Sequence, residues 1–121
     1  MSESPSTEVL AIWAAWEKFL HYFFDITQKF PKKARFSFTT RMENFSLDIL
    51  ELLLDARYAQ KHEKLALLKK INLLMEKMRV FTRVCYEERF LSSRAYEGIV
   101  REIDGAGRQV GGWIKELQKR P

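Results

Sequence analysis

The apolar residues of this chain recur at alternating intervals of three and four, a pattern typical of amphipathic helices that pack side by side. Three segments with this pattern run from Val9 to Phe30, from Phe38 to Ala59 and from Leu67 to Cys85. A fourth runs from Ser93 to Gln118, and its apolar seam consists of Tyr96, Ile99, Ile103, Ala106, Val110, Trp113 and Leu117.

Segments of about 24 residues correspond to helices about 36 Å long, and short polar turns separate them. The pattern therefore predicts an all-α fold, an antiparallel up-down four-helix bundle. We expect the bundle to span residues 7–119 and the polar residues 1–6 to form a flexible N-terminal arm. The turns are expected at Phe30–Ser37, where Pro31 ends the first helix, at Gln60–Glu63, and before Ser92 or Ser93, which can cap the last helix.

The first helix is apolar beyond its seam, because Leu10, Trp13, Leu20 and Phe24 widen the stripe. These residues either fill a broad intramolecular core or form part of a subunit interface, where large aromatic side chains are common. The sequence leaves both explanations open.

Besides Gly98, four glycines lie inside the last helix, at positions 105, 107, 111 and 112. In an isolated helix they would cost about 3–4 kcal/mol relative to alanine. Gly107 and Gly111 are one turn apart, so they can let another helix approach closely. The alternative is that the helix bends or frays around Gly111 and Gly112.

At 121 residues the chain is long enough for one domain with its own core and needs no disulfide or structural metal. Its single cysteine, Cys85, falls on a seam and is expected to be a small buried apolar residue. The chain does not begin with the basic and apolar segments of a signal peptide, and no apolar run reaches the length of a membrane span. We therefore expect a cytoplasmic protein with no membrane association.

Positive charge is concentrated in two regions of the chain, whose formal net charge is +5. Residues 27–41 contain five basic residues and no acidic one, and residues 61–90 contain eight basic residues against four acidic. Such clusters are either ordinary solvated surface or a surface that attracts a polyanion.

Arg79 and Arg83 lie one helical turn apart, with Glu76 and Glu87 on the same face. In one interpretation each glutamate pairs with the nearer arginine, in exposed salt bridges that contribute little stability. In the other, the two guanidinium groups bind phosphates or carboxylates of a partner.

Catalytic chemistry has little support in the sequence. Arg57 and His62 have the Arg-x4-His spacing of the helical HEPN ribonucleases, but Tyr58 stands where a polar residue is usual. With two histidines and one cysteine, no metal site of recognisable spacing exists. We expect no enzymatic activity, no catalytic residues, no metal and no cofactor.

Three short patterns carry a resemblance to a known family. They are Gly107-Arg108-x-Val110-Gly111-x-Trp113-Ile114, the turn Phe30-Pro31-Lys32-Lys33, and Met78-Arg79-Val80-Phe81-x-Arg83. Together they resemble the accessory variability determinant (Avd) proteins of diversity-generating retroelements. Those proteins are in turn similar to the small four-helix proteins encoded within intervening sequences of bacterial 23S ribosomal RNA genes, whose turn is similarly aromatic.

The resemblance implies a non-catalytic accessory protein that forms a homopentamer and binds both a reverse transcriptase and nucleic acid through a basic surface. It would support mutagenic retrohoming, in which template RNA is copied with errors at adenines. The alternative is an RNA-binding or protein scaffold of the intervening-sequence type.

The candidate residues fall into two groups. The resemblance assigns a contact role to Lys32, Lys33, Arg79 and Arg83, and charge alone adds Arg35, Lys69 and Lys70. The candidates for oligomer contacts or close helix packing are Trp13, Phe24, Gly107, Gly111 and Trp113.

Overall fold

The computed structural model describes residues 4–119 of the chain, with side chains described from residue 10 onward. It contains four α-helices, α1 (Ser4–Thr27), α2 (Thr40–Tyr58), α3 (Lys61–Glu87) and α4 (Ser93–Lys119). Each helix packs against the next, and α4 also packs against α1. This confirms the predicted all-α fold with four antiparallel helices. Within the described residues, none of the helices is long and apolar enough to cross a membrane.

The predicted seams supply most of the buried core. The seam of α4 is buried from Ile99 to Leu117, while Tyr96 is half-buried and stacks on Tyr86 of α3, with ring centroids 4.5 Å apart. Helix α3 turns a wider face inward than predicted, because Leu68 and Met75 are buried beside its seam. A helix that contacts two neighbours needs a broader apolar stripe than a single seam.

The first interhelical segment differs from the prediction in its boundaries. Helix α1 ends at Thr27, and α2 begins at Thr40 rather than Phe38. Between them lie a 3-10 turn, Lys32–Ala34, and a π-helical turn, Arg35–Thr39. The segment is therefore helical for most of its length, which the proline and the basic residues did not predict.

Helix α1 also begins earlier than expected. Its first residue is Ser4, so residues 4–6, assigned to a flexible arm, belong to the helix. The rest of the predicted arm, residues 1–3, lies outside the described residues.

The predicted polar break at residues 60–63 was too long. Only Ala59 and Gln60 lie outside helices, and Lys61, His62 and Glu63 form the first turn of α3. The backbone N–H of Gln60 donates to the Glu63 carboxylate at 3.3 Å, as in a capping box. At the start of α4, the Ser92 hydroxyl accepts the backbone N–H of Ala95 at 3.1 Å, which confirms the predicted cap.

The residues that widen the apolar stripe of α1 differ in burial, so neither a broad core nor a subunit interface accounts for all of them. Leu20 is buried in the core, whereas Trp13 and Phe24 are half-buried and Leu10 is 41% exposed. Helix α2 likewise exposes two of its leucines, Leu47 and Leu54. A broad core accounts for Leu20 but leaves apolar surface on α1 and α2 that the fold does not cover.

Cys85 is fully buried, as predicted, and its Sγ lies 3.6 Å from the Sδ of Met42. Burial, with a smaller contribution from the charge of Glu88, raises the pKa of its thiol from 9.0 to about 12. Because the thiolate is the reactive form, this side chain is an inert core residue at neutral pH.

Candidate nucleic-acid interface

The segment between α1 and α2 presents basic side chains to solvent. Lys32 and Lys33 lie in the 3-10 turn, Arg35 begins the π-helical turn, and Arg41 lies in the first turn of α2. Together with Lys29, all of these side chains are exposed. The structure thus places Lys32, Lys33 and Arg35 side by side at one end of the bundle.

Aromatic packing holds this segment against the α3–α4 turn. Phe30 and Phe38 each lie 5.9 Å from Phe90, measured between ring centroids, and Ala34, within the segment itself, is buried. The Lys33 ammonium lies 5.8 Å from the Phe90 centroid, within cation–π range. Because Phe30 and Phe38 hold the two ends of the segment against Phe90, Lys32 and Lys33 project from a well-packed backbone.

The same end of the bundle carries two further arginines, which the sequence did not connect with the α1–α2 segment. Arg89 follows α3 with a φ of 67°, and the backbone N–H groups of Arg89 and Phe90 donate to Tyr86 and Cys85. This Schellman motif ends the helix. Arg94 follows in the first turn of α4. The antiparallel topology places both beside the α1–α2 segment. Because the sequence already predicts that topology, it could have indicated that the first and third turns lie at the same end of the bundle.

We call these seven side chains the basic end: Lys29, Lys32, Lys33, Arg35, Arg41, Arg89 and Arg94. None of the seven forms a salt bridge with a carboxylate among the residues that the structure describes. Its side chains are therefore available to an external anion, and the seven cations outnumber Glu43, Glu87 and Glu88 at the neighbouring helix ends.

Arg79 differs from the basic end because two carboxylates already bind it. Its guanidinium donates to Glu76 at 2.9 Å and to Asp104 of α4 at 2.7 Å. Arg83 lies 4.0 Å from Glu87, at the limit of an ion pair. Each arginine thus pairs with its nearer glutamate, as in the first of the two interpretations, and Asp104 was not foreseen. The charge of Arg79 is compensated within the chain and links α3 to α4.

The two glycines predicted to allow close packing have different surroundings. A Cβ added at Gly107 would lie 2.8 Å from a guanidinium nitrogen of Arg79, whereas one added at Gly111 would meet nothing within 4 Å. Gly107 therefore makes room for an arginine side chain, and the expected close contact at Gly111 is wrong within the protomer. The close approach of α1 to α4 occurs instead at Gly98, against the Tyr22 hydroxyl. Helix α4 runs unbroken through all these positions.

Lys69 and Lys70 lie on α3 far from the basic end. Both are exposed, and neither forms a salt bridge with another described residue. Lys70 precedes the end of α3 at Glu87 by 17 residues, which is about 26 Å along a helix axis. The structure does not bring this pair together with Lys32 and Lys33.

A second row of positive charge runs along α4. Arg94, Arg101, Arg108 and Lys115 are spaced seven residues apart, and all four are exposed. None is in a salt bridge with a carboxylate in the described part of the chain. The row, here called the α4 stripe, begins within the basic end at Arg94. Sequence reasoning missed it because no two of its members are adjacent, although the interval of seven was visible.

The aromatic candidates for oligomer contacts lie at different depths. Trp113 is 2% exposed and belongs to the core of the protomer. Trp13 is half-buried, and its indole N–H has no acceptor among the described residues. Trp13 and Phe24 therefore retain surface for a subunit contact, whereas Trp113 serves packing between helices.

The arginine and histidine considered for ribonuclease chemistry lie on different helices. Arg57 is in the last turn of α2, with its guanidinium carbon 5.3 Å from the Tyr58 ring centroid, and His62 is in the first turn of α3. Across the described residues, no group of three His, Cys, Asp or Glu side chains could hold a metal ion.

Comparison with known proteins gives one result for nearly the whole chain. A family model described as bAvd-like matches residues 10–117, which covers the greater part of all four helices. No curated protein and no solved structure matches the chain. The family match confirms the resemblance to accessory variability determinant proteins carried by the turn after α1 and by the patterns in α3 and α4. The chain therefore belongs to the bAvd-like family.

Proposed function

We propose that this protein is the accessory subunit of a diversity-generating retroelement, in which it binds a reverse transcriptase and nucleic acid and supports mutagenic retrohoming in the cytoplasm. The bAvd-like family is a non-catalytic accessory type, so the chemistry of DNA synthesis belongs to the polymerase partner. The accessory protein's role is binding, and the nucleic acid is the template RNA or the cDNA copied from it.

The observation that supports this proposal best is the basic end. Seven cations lie at this end of the bundle, none of them in a salt bridge with a described carboxylate, around a segment anchored by Phe30, Phe38 and Phe90. Such a cluster raises the local concentration of a polyanion and neutralises its phosphates. The α4 stripe extends the same sign of charge along the bundle.

The uncovered apolar surface of α1 and α2 supports self-assembly, and the resemblance to accessory variability determinant proteins implies a homopentamer. Leu10, Leu47 and Leu54 are each at least 40% exposed, and Trp13 is half-buried. A subunit interface would cover these side chains. Five copies would carry five times the formal charge of +5, which strengthens attraction for a nucleic-acid backbone.

The assembly is tested by light scattering coupled to size exclusion. We expect a mass of about 72 kDa, five times the 14.4 kDa of the chain. A mass of 14.4 kDa that persists at high protein concentration would contradict the pentamer. A stable dimer would also contradict the pentamer. A dimer pairs the same patch on both subunits, whereas a ring of five requires two different patches that meet head to tail.

Nucleic-acid binding is tested by its salt dependence. Fluorescence anisotropy of a labelled single-stranded RNA should give a log Kd that rises steeply with log salt, with a slope of about 4 or more, because each neutralised phosphate contributes about 0.7–0.9. An apolar protein interface has no such dependence. Binding that is undetectable at low salt, or insensitive to salt, would instead favour a plain protein scaffold.

A further inference from the structure

Phe36 has no packing role in the protomer. Its side chain is 89% exposed, a larger fraction than for any other large apolar residue that the structure describes. The neighbouring aromatics Phe30 and Phe38 both contact Phe90, so this segment uses two of its three phenyl rings as anchors and turns the third to solvent. An exposed phenyl ring in a positively charged setting contributes nothing to the core and requires another explanation.

The surroundings of Phe36 identify the kind of ligand that would cover it. The ring lies in the π-helical turn directly after Arg35, with Lys32 and Lys33 in the preceding turn, and residues 27–41 contain no acidic side chain. Surfaces that bind single-stranded nucleic acid usually combine cations, which bind the phosphates, with aromatic rings, which stack on the bases. π-Helical turns are also frequent at functional sites.

The phosphates of a duplex would bind the cations. The bases of a duplex are already paired and stacked on one another, so they would not be free to stack on Phe36. An apolar pocket on a protein partner would cover the ring but would have to carry negative charge around its rim. The charge of the segment thus favours a strand with unpaired bases over either of these occupants.

We propose that the basic end binds single-stranded nucleic acid and that Phe36 stacks on one of its unpaired bases. This rests on the proposed function, since it assigns a strand and a contact to the nucleic-acid binding inferred above. Phe36 provides a base contact that does not depend on charge, so its contribution should persist when salt weakens the phosphate contacts.

The test compares two probes that differ only in their bases. One is a short uridine oligonucleotide, which has little structure of its own, and the other is an abasic oligonucleotide with the same backbone and the same number of phosphates. Anisotropy should show that the wild-type protein binds the uridine probe about 5- to 150-fold more tightly, as expected for one stacked base. Phe36→Leu should abolish that preference, and Phe36→Trp should retain it.

Tyr58→Leu is the matched control. Tyr58 is also strongly exposed, at 73%, but it lies at the opposite end of the bundle and shares a shallow groove with Asp55 and Glu63. The Tyr58→Leu variant should bind the uridine probe and the abasic probe with the same affinities as the wild type. Thermal melting should show Phe36→Leu to be as stable as the wild type, because the ring has almost no contacts to lose.

The outcomes separate the two proposals. Equal binding of both probes by the wild type, or a uridine affinity that Phe36→Leu does not reduce, would overturn the stacking contact while the salt dependence upheld nucleic-acid binding. Failure of the wild type to bind either probe would overturn both proposals. Loss of reverse-transcriptase binding in Phe36→Leu, with oligonucleotide binding intact, would assign the ring to a protein pocket and overturn the stacking proposal.

Discussion

Reversing the charges of Lys32 and Lys33 together is expected to weaken RNA binding by about 100-fold at low salt, because two phosphate contacts become two repulsions. The slope of log Kd against log salt should fall by about 2 in the Lys32→Glu, Lys33→Glu double variant. Both side chains are exposed, and the only cation–π contact that they make with the described aromatic rings is that of the Lys33 ammonium, 5.8 Å from the Phe90 centroid. Anisotropy titrations at several salt concentrations measure both quantities, and circular dichroism checks that the fold is kept.

The matched control is the double variant Lys69→Glu, Lys70→Glu. It lowers the formal net charge by the same four units, from +5 to +1, at exposed positions far along α3. We expect it to reduce affinity much less than the reversal at Lys32 and Lys33. Equal losses in the two variants would mean that overall charge, and not the basic end, determines binding; no loss in either would refute an electrostatic interface.

Replacing Trp16 by alanine is expected to lower the free energy of unfolding by about 3–5 kcal/mol, which is the usual range for removing a buried large aromatic. Trp16 is 1% exposed, and its ring centroid lies 4.6 Å from that of Phe19. Its indole N–H donates to the backbone oxygen of Ser46 at 2.9 Å, which ties α1 to α2. Denaturant unfolding followed by far-ultraviolet circular dichroism measures the loss without relying on tryptophan fluorescence.

Trp16→Phe separates the ring from the hydrogen bond. It keeps most of the buried apolar volume but leaves the Ser46 oxygen without its indole donor, so we expect a smaller loss of about 1–2 kcal/mol. Protein concentration must be the same in all measurements, because assembly contributes to apparent stability. A loss below about 1 kcal/mol for Trp16→Ala would show that this position is not part of a close-packed core.

The fold could be predicted from the sequence because helix periodicity is a local property. The three-four spacing identifies the inward face of each helix regardless of what it meets, and the seam of α4 is buried from Ile99 to Leu117 as a result. Segment ends were less predictable. Pro31 predicts a helix end, but α1 already ends at Thr27, and nothing in the basic run after the proline indicates that residues 35–39 form a π-helical turn.

The site was only half predictable, because its members come together through tertiary structure. Lys32, Lys33 and Arg35 form a visible cluster, but Arg89 and Arg94 join them only once the bundle is folded. The salt bridge between Arg79 and Asp104 connects residues 25 positions apart on two helices, so an arginine that looks available in sequence is already bound. Gly111 was expected to be a packing residue because it lies one turn from Gly107, yet it faces open space within the protomer.

The α4 stripe also has a pitch. An α-helix turns about 100° per residue, so positions seven residues apart fall about 20° short of two full turns while advancing about 10.5 Å. Over the three intervals from Arg94 to Lys115 the row drifts by about 60° in the left-handed sense along a length of about 32 Å. A strand that followed these charges would cross α4 obliquely and pass from one neighbouring groove toward the other.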